Sequence, residues 1–346
     1  MLDNKKINIS YVCTLPLIGN SPNIIIYGDK DEEYIIEFID NNTKQVISKK
    51  EFRSNELVVG DRQWFTNWLI KIYDLSGKLI YIDLFNLIGK YVFIKMDGHA
   101  LGDNIAWIPY VEEFRKKHEC NVICSTFYND LFVDVYPEIL FVKPNTEIKN
   151  IYAQYYIGAN NSDNLKYSPV NSEKVSLQKV SSSILGLEDK EIVPDLITSI
   201  RFKERRIEDK YVCISEYGSH EKKMWREGLE GWQYIVDKLN DSGYKVCVIS
   251  KEPTRLKNII DWTGDINLKQ RMIDLYYSEF FIGVSSGLSW LSWSVGTKVY
   301  MISDCTPDWH EFKNNIVRIN KNKLDKVDYE ITEYTKKEKV IEIIGL

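Results

Sequence analysis

The chain has 346 residues, which at roughly 100 to 200 residues per domain predicts two or three domains. Its 45 basic and 50 acidic residues give a net charge of −5, which argues against sequence-independent binding of nucleic acid. The content of 44% hydrophobic and 27% charged residues excludes a disordered chain, and no apolar run approaches the roughly 18 residues of a membrane span.

Residues 1–89 are typical of a small antiparallel β domain. Four β-rich runs lie at 23–27, 34–38, 45–48 and 68–73. Turn-forming residues at 28–31, 40–42 and 74–77 separate these runs, so we predict that they form consecutive hairpins.

From Tyr91 the pattern changes to strand, loop and helix. An apolar strand is predicted at 91–94 and a helix at 105–118, followed by strands at 121–126 and 140–142 with a short helix at 131–136. This alternation favours a parallel sheet, and we assign residues 90–190 to a first Rossmann-like lobe.

The charged stretch 188–210, which contains Pro194, predicts the crossing to a second lobe at 191–346. Strands are predicted there at 211–214, 244–250, 280–284 and 298–302, with helices at 229–239, 268–278, 288–295 and 334–344. The predicted fold class is therefore α/β, with two Rossmann-like lobes and an N-terminal antiparallel β domain.

Ligands of open parallel sheets bind beyond the carboxyl ends of the strands, so the loops after Ile94, Ile214, Ser250, Val284 and Ile302 are candidate sites. The first of them contains Asp97, His99, Gly102 and Asp103. Asp103 either caps the following helix or acts as a general base whose proton affinity is raised by partial burial. Gly102 would let a substrate approach the backbone, and His99 would contact it.

The second loop follows the strand at 211–214. Its small residues are Ser215, Gly218 and Ser219. Lys223 could offset the charge of a diphosphate leaving group while loop amides donate hydrogen bonds. The alternative is a solvated lysine beside Trp225, whose ring would then serve packing alone.

The third loop joins a strand to a helix through small residues. These are Gly283, Ser285, Ser286 and Gly287, followed by Leu288. Exposed amides and the positive end of a helix favour an anion here, although a serine could serve only as the helix cap.

Missing motifs narrow the classes of enzyme. There is no Gly-x-Gly-x-x-Gly after the first strand and no Walker loop, which argues against dinucleotide-dependent redox enzymes and P-loop ATPases. The six cysteines show no disulfide framework, and Cys120 and Cys124 lack a second pair at zinc spacing. We therefore expect no cofactor and no metal. The charged segment Met1–Lys6 is unlike a signal peptide and predicts a cytoplasmic protein.

The motif Met96-Asp97-Gly98-His99-Ala100-Leu101-Gly102-Asp103-Asn104, continued to Phe114, resembles the opening motif of the bacterial autotransporter heptosyltransferases. Lys223-Met224-Trp225 with Trp232 is similar to the Lys-x-Trp…Trp element of that family, and 281–291 resembles its nucleotide-sugar loop. The resemblance covers about residues 20 to 320. More distantly, the two lobes look like the heptosyltransferases of lipopolysaccharide assembly.

The resemblance implies a GT-B glycosyltransferase that moves heptose from ADP-heptose to Ser or Thr hydroxyls of a protein, with inversion. It implies that Asp103 is the catalytic base, that Lys223 meets the donor phosphates and that Ser285, Ser286 and Gly287 hold the nucleotide. The 90–190 lobe would bind the acceptor. Candidate contacts on the acceptor or sugar side are Asp97, His99 and Gly102 of that lobe and Trp225 of the second lobe. A nucleotide-sugar donor and a protein acceptor are the implied partners, and the resemblance also allows a homo-oligomer.

One feature departs from the family pattern. Autotransporter heptosyltransferases carry a C-terminal cysteine cluster that holds iron, whereas this chain has only Cys305 after Asp304. Iron is therefore not expected. Two alternatives to the enzyme stay open: a non-catalytic nucleotide-sugar or carbohydrate-binding subunit, and a nucleotide-sugar epimerase with the same two lobes.

Overall fold

The computed structural model describes residues 6–11, 21–28, 32–159, 163–164, 166, 168–200, 204–218, 221–320 and 323–346. The N-terminal region forms two antiparallel sheets. The first has the order β1-β2-β5, with β1 Lys6–Ser10, β2 Asn23–Tyr27 and β5 Val58–Val59. The second has the order β4-β3-β6-β7, with β3 Glu33–Asp40, β4 Gln45–Arg53, β6 Trp68–Asp74 and β7 Leu79–Leu84.

The predicted hairpin between the runs at 23–27 and 34–38 is wrong, because the two runs belong to different sheets. β2 pairs with β1, a strand that was not predicted, and with β5. β3 instead pairs with β4 and β6. Alternating apolar residues show that a segment is a strand but not which neighbour it pairs with, since pairing depends on packing between segments far apart in the chain.

The next part of the chain forms a four-stranded parallel sheet of order β10-β9-β8-β11. Its strands are β8 Tyr91–Met96, β9 Asn121–Thr126, β10 Ile139–Val142 and β11 Ala153–Tyr156. The accompanying helices are α1 Leu101–His118, α2 Asn129–Phe132 and α3 Leu177–Ile184. β11 and α3 were not predicted.

The last part forms a six-stranded parallel sheet of order β14-β13-β12-β15-β16-β17. Its strands are β12 Tyr211–Ser215, β13 Lys245–Val248, β14 Ile260–Asp261, β15 Phe281–Val284, β16 Val299–Ile302 and β17 Ile316–Ile319. Its helices are α4 Gly228–Asp241, α5 Leu268–Tyr276, α6 Gly287–Ser294 and α7 Lys337–Ile344. The strand order reverses direction at β12, so a crevice is expected beyond the carboxyl ends of β12 and β15.

Helices α1 and α6 join the two parallel-sheet regions at their N-terminal turns. A Cβ on Gly102 would lie 2.7 Å from Cδ1 of Trp290, and one on Gly287 would lie 2.9 Å from Cβ of Leu101. Real Cβ atoms do not approach so closely, so both glycines allow the helices to touch. The contact brings the first turn of α1 next to the crevice.

This contact also explains why the predicted start of α1 is wrong. The apolar pattern begins at Ile105, but the helix begins at Leu101, so Asp103 lies inside the first turn. Gly102 lowers intrinsic helix propensity, and packing against Trp290 compensates for it. Among the described residues, no helix is both long and apolar enough to cross a membrane.

Candidate active site

The loop between β8 and α1 is held by Asn104, a fully buried residue of the first turn of α1. Its Nδ2 donates hydrogen bonds to the carbonyl oxygens of Gly98 and Ala100, at 2.9 Å each. Its Oδ1 accepts a hydrogen bond of 2.6 Å from Oγ1 of Thr126 on β9. Every polar group of this side chain is thus used to shape the loop. Asn104 escaped prediction as a site residue because its partners come from a separate strand.

The position of Asp103 follows from that geometry, because Asp103 lies in the same first turn of α1 as Asn104. Ala100 is the N-cap residue of α1 and makes no side-chain cap. The Asp103 carboxylate accepts no hydrogen bond from the described residues, so the capping alternative is not realised. Burial raises the pKa of Asp103 to about 6, and the nearby charge of Lys223 opposes that rise. At neutral pH the group is ionised yet retains a high proton affinity, as a general base requires.

Asp97 lies at the end of the loop nearest β8 and is already paired. Its Oδ1 accepts a hydrogen bond of 2.5 Å from Oγ of Ser125. Its Oδ2 lies 3.5 Å from Nζ of Lys95. These contacts distinguish Asp97 from Asp103, whose carboxylate has no such partners among the described residues, and they favour a supporting role in the loop.

His99 is exposed and forms part of an aromatic rim beside Asp103. Its ring stacks on Phe127 with ring centroids 3.8 Å apart. Its carbonyl oxygen accepts a hydrogen bond of 2.5 Å from the hydroxyl of Tyr128. The pKa of Tyr128 is raised by burial and by the charge of Asp103, which places the phenol near the carboxylate. The predicted contact of His99 with a substrate stays a prediction that this exposed position permits.

A pocket of about 230 Å³ lies beyond the carboxyl ends of the second parallel sheet. Five predicted donor-binding residues line it: Ser215, Gly218, Ser286, Gly287 and Leu288. Leu101 of α1 also lines it, so both sheet regions contribute to the pocket. Lys223 does not line this pocket, but its Cβ would lie 3.5 Å from a Cβ on Gly218, which does.

Further pocket residues come from the loops after β13 and β14 and from α5. They include Lys251, Asp265 and Arg271. Arg271 is buried, and its Nη2 donates a hydrogen bond of 3.2 Å to the carbonyl oxygen of Gly264. The loop after Ser250 is a candidate by its place in the sheet, but it carries no motif that singles out these three residues.

Ser286 is the N-cap residue of α6, but its hydroxyl makes no cap hydrogen bond. Its Oγ is buried and has no hydrogen-bond partner among the described residues. A hydroxyl of this kind, next to the amides that begin α6, suits a bound anion. The structure therefore favours the anion-binding alternative over the cap at Ser286.

Ser285 and Gly283, also predicted to bind the donor, do not line this pocket. The hydroxyl of Ser285 donates a hydrogen bond of 2.6 Å to Oε1 of Glu311. Gly283 lies within β15, where a Cβ would be 2.5 Å from Cζ of Phe281. Gly283 is needed to accommodate that ring, and Ser285 ties the end of β15 to Glu311.

Trp225 has the packing role that was the alternative to sugar binding. It is buried, and its Nε1 donates a hydrogen bond of 2.8 Å to the carbonyl oxygen of Thr335. Its ring meets Trp232 edge to face with centroids 5.3 Å apart. The ring therefore anchors the C-terminal segment on α4. Ser219, the remaining predicted donor residue, lies outside the described residues.

A buried ion pair holds Ser285, the neighbour of the pocket residue Ser286. Glu311 accepts hydrogen bonds from Ser285 and from Oγ1 of Thr306, and it is paired with Arg318 on β17. Burial opposes ionisation of Glu311, but Arg318 and His310 hold its pKa below the ordinary value. The network thus depends on a charged arginine.

Replacing Arg318 with methionine is expected to lower the free energy of unfolding by about 3 to 5 kcal/mol, because Glu311 would be left as an unpaired buried charge. Urea denaturation at pH 7 measures this loss. Since the folded pKa of Glu311 is depressed, the stability that it contributes is present above its unfolded pKa and is lost as the pH falls. The double variant Arg318→Met/Glu311→Gln should recover part of the loss. A single variant as stable as the wild type would contradict the prediction.

Comparison with known proteins identifies the family. Autotransporter heptosyltransferase Aah of Escherichia coli is 30% identical over 293 residues, which cover 81% of this chain and 74% of Aah. The chain belongs to the autotransporter heptosyltransferase family. The resemblance noted from the sequence is thereby confirmed, although no protein-family model matches the chain.

Two other members differ in their described activity. TibC of E. coli O78:H11 (strain H10407) is 30% identical over 261 residues, 71% of this chain and 63% of TibC. BimC of Burkholderia thailandensis, described as an inactive autotransporter heptosyltransferase, is 30% identical over 268 residues, 74% of this chain and 62% of BimC. The aligned part thus spans less than two thirds of either relative.

Solved structures agree with the fold. The crystal structure of an iron-containing dodecameric glycosyltransferase, TibC, has a TM-score of 0.85 at 22% identity and covers 98% of this chain and 95% of TibC. A complex of TibC with ADP-D-beta-D-heptose has a TM-score of 0.83 at 21% identity, with 98% and 94% covered. The E. coli lipopolysaccharide ADP-heptose heptosyltransferase II has a TM-score of 0.56 at 12% identity, with 74% and 97% covered. The predicted α/β class with parallel sheets is confirmed.

The expectation of no metal is contradicted, because the TibC structures are described as iron-containing. That expectation rested on the cysteine spacing of this chain and on the missing C-terminal cysteine cluster. Among the described residues, no group of three or more His, Cys, Asp or Glu side chains is placed to hold a metal. Cys305 is buried, and burial raises the pKa of its thiol to about 11. The described residues therefore do not fit an iron centre, and we assign no catalytic step to one.

Proposed function

We propose that this protein is an inverting GT-B glycosyltransferase that moves heptose from ADP-heptose to Ser or Thr hydroxyls of a protein. The observation that carries the proposal is the Asp103 carboxylate, which lies in the first turn of α1 within the electrostatic reach of Lys223 and has a pKa of about 6. Family membership supports heptose transfer, and the ADP-heptose complex of TibC supports the donor.

In the proposed reaction Asp103 accepts the proton of the acceptor hydroxyl while that oxygen attacks the anomeric carbon. The new bond forms on the face opposite the leaving group, so one displacement inverts the configuration. The bond from the anomeric carbon to the phosphate oxygen breaks, and ADP leaves with the electron pair. Lys223, the amides of α6 and the hydroxyl of Ser286 offset the charge that grows on the diphosphate.

The residues divide between two sides of this reaction. Asp97 and His99 would shape the acceptor side, whereas Ser215, Gly218, Gly287 and Leu288 would contact the nucleotide. Gly102 would keep the backbone of α1 close to the donor pocket. The regions 1–89, 90–190 and 191–346 would act as the β domain, the acceptor lobe and the donor lobe. A homo-oligomer is proposed by analogy with dodecameric TibC, and a cytoplasmic location stays a prediction.

A second candidate is a non-catalytic nucleotide-sugar or carbohydrate-binding subunit. The relative described as inactive, BimC, favours this alternative specifically. The Asp103 carboxylate argues against it, because burial of a charge is costly and is maintained here without a hydrogen bond from the described residues to relieve it.

Release of ADP separates these functions. The purified chain is incubated with ADP-heptose and with proteins encoded beside it, and ADP and the mass of each protein are measured. An enzyme releases ADP in step with a heptose mass increment on one protein. A binding subunit has a higher melting temperature with ADP-heptose but releases no ADP. An epimerase converts the donor without any acceptor.

A further inference from the structure

A second cavity, of about 570 Å³, lies between the N-terminal sheets and the C-terminal end of α1. We call it the junction pocket. The lining residues that matter below are Asn42, Trp64, Phe65, Asn67, Phe85, Lys117, His118, Glu119 and Gly186. No described residue lines both this pocket and the donor pocket. Its volume lies within the roughly 300 to 1,000 Å³ of small-molecule sites.

The walls of the junction pocket are tied together by the fold. The backbone N–H of Phe65 donates to the carbonyl oxygen of Ile184 at 2.8 Å, and that of Gly89 donates to Glu119 at 2.8 Å. Nζ of Lys117 donates a hydrogen bond of 2.8 Å to the carbonyl oxygen of Gly186. These bonds join residues 65 and 89 to the C-terminal ends of α3 and α1, and they join those two helix ends to each other. A preformed site avoids the ordering cost of binding.

The floor of the pocket is equally fixed. His118 packs between Phe65 and Phe114, with ring centroids at 4.7 and 4.5 Å. Gly186 has φ of +63°, and a Cβ there would lie 2.3 Å from Cδ1 of Phe65. Only glycine therefore lets the Phe65 ring lie in this place. Burial lowers the pKa of His118 to about 4, so the floor is uncharged at neutral pH.

The amides of the pocket wall present complementary polar groups. Nδ2 of Asn67 donates a hydrogen bond of 2.9 Å to Oδ1 of Asn42. The bond leaves the amide donor of Asn42 and the amide acceptor of Asn67 without a partner among the described residues. Asn42 is exposed and Asn67 is half-buried, so both amides can reach a ligand in the pocket. An amide donor and an amide acceptor on one wall can bond to hydroxyl groups, which both donate and accept.

The remaining lining selects a neutral ligand with an apolar face. Half-buried Trp64 supplies aromatic surface, and the edge of the largely buried Phe85 adds to the apolar lining. The Arg62 guanidinium, 4.7 Å from the centroid of the Trp64 ring, is itself paired with Asp40. Lys117 and Glu119 place one charge of each sign at the rim, so no excess positive charge favours a phosphate. Hydroxyl pairs together with an apolar face are the chemistry of a pyranose sugar. We propose that the junction pocket binds a neutral glycan.

The position of the pocket indicates which glycan it would hold. Lys117 is 14 residues beyond Asp103 on one helix, so the pocket lies about 20 Å from the proposed base at 1.5 Å per residue. At about 3.3 Å per residue, an extended acceptor chain spans that distance with six or more residues. A sugar already attached to the acceptor would sit in the junction pocket while a later hydroxyl reaches Asp103. This second step rests on the proposed function, whereas the binding of sugar does not.

Ligand-observed NMR tests the pocket on the full chain saturated with ADP. The probes are D-mannose and D-glycero-D-manno-heptose, each compared with mannose 6-phosphate. We expect the neutral sugars to bind despite ADP and to bind at least about tenfold more weakly to Trp64→Ala and Asn67→Ala, a loss of about 1.4 kcal/mol. Tyr276→Ala, which removes an exposed aromatic ring from α5, is the matched control and should bind normally.

Several outcomes would overturn the proposal. The first is loss of sugar binding when ADP is added. The second is unchanged sugar binding by both pocket variants at wild-type melting temperatures. The third is no binding at about 50 mM sugar, a concentration far above a Kd near 1 mM. A synthetic peptide carrying one heptosylated serine should bind more tightly than free heptose. Equal affinity would refute a protein-attached ligand. Asp103→Asn should bind sugar as tightly as the wild type, because Asp103 does not line the junction pocket. If the wild-type chain binds sugar but releases no ADP, only the proposed function is refuted.

Discussion

Asp103→Asn is expected to lower the rate of heptose transfer by about 10²- to 10⁴-fold, the usual contribution of a general base. The amide keeps the shape of the carboxyl group but cannot accept the proton of the attacking hydroxyl. Affinity for ADP-heptose should stay close to the wild-type value, because the donor pocket is lined by other residues. Steady-state release of ADP measures the rate, and calorimetric titration with ADP measures binding.

The stability of this variant provides an independent control. Burial raises the folded pKa of Asp103 to about 6, so its ionised form destabilises the folded protein above that pH. A neutral amide at this position carries no such penalty. The variant should therefore melt at the same or a higher temperature at pH 8, with the difference vanishing as the pH falls through 6 towards about 4, the unfolded range of a carboxyl group. Asp97→Asn, at a carboxylate already paired, is the comparison variant. Transfer at the wild-type rate by Asp103→Asn would remove Asp103 as the base.

Much of the parallel architecture could be predicted because its strands and helices have a clear hydrophobic pattern in the local sequence. Buried strands such as β9 and β15 are continuous apolar runs bounded by turn residues, and α4 and α5 show helical periodicity. The rule that ligands lie beyond the carboxyl ends of such strands then led to the loops at Asp103, Ser215 and Ser286. Where chemistry depends on strand ends, a local signal is enough to find the region.

Other features depend on contacts that no local pattern contains. Ser285 and Ser286 are adjacent and chemically identical, yet Ser285 is bonded to Glu311 while the buried hydroxyl of Ser286 has no partner among the described residues. Gly102 looks like a place for substrate approach, yet Trp290 explains the glycine. In each case the partner lies far away in the sequence, so the role follows from tertiary packing rather than from residue type.

Lys223 shows how such distant partners can be decisive for the chemistry. It lies in a single helical turn, Glu221–Lys223, far from α1 in sequence, yet its charge acts on Asp103. Burial and the lysine push the proton affinity of the carboxylate in opposite directions. Their balance sets the pH range in which the base is both ionised and effective.

Lys223→Met should therefore change two observables together. Transfer should fall by about 10²- to 10³-fold, because a group that stabilises the leaving diphosphate is lost. The midpoint of the acid side of the pH–rate profile should also move above about 6, because the pKa of Asp103 rises further without the lysine charge. Rates of ADP release from the mildly acidic to the mildly alkaline range measure both effects.

Lys222→Met is the matched control for the lysine. Lys222 is the adjacent residue, is exposed and pairs with Glu330 rather than with Asp103. Its removal should leave both the rate and the pH midpoint unchanged. If Lys223→Met is slower but its pH midpoint is unshifted, the charge of Lys223 does not affect the pKa of Asp103. The lysine would then act only on the leaving diphosphate. A midpoint shifted to lower pH would contradict the electrostatic link itself, because loss of a positive charge can only favour the protonated carboxyl group.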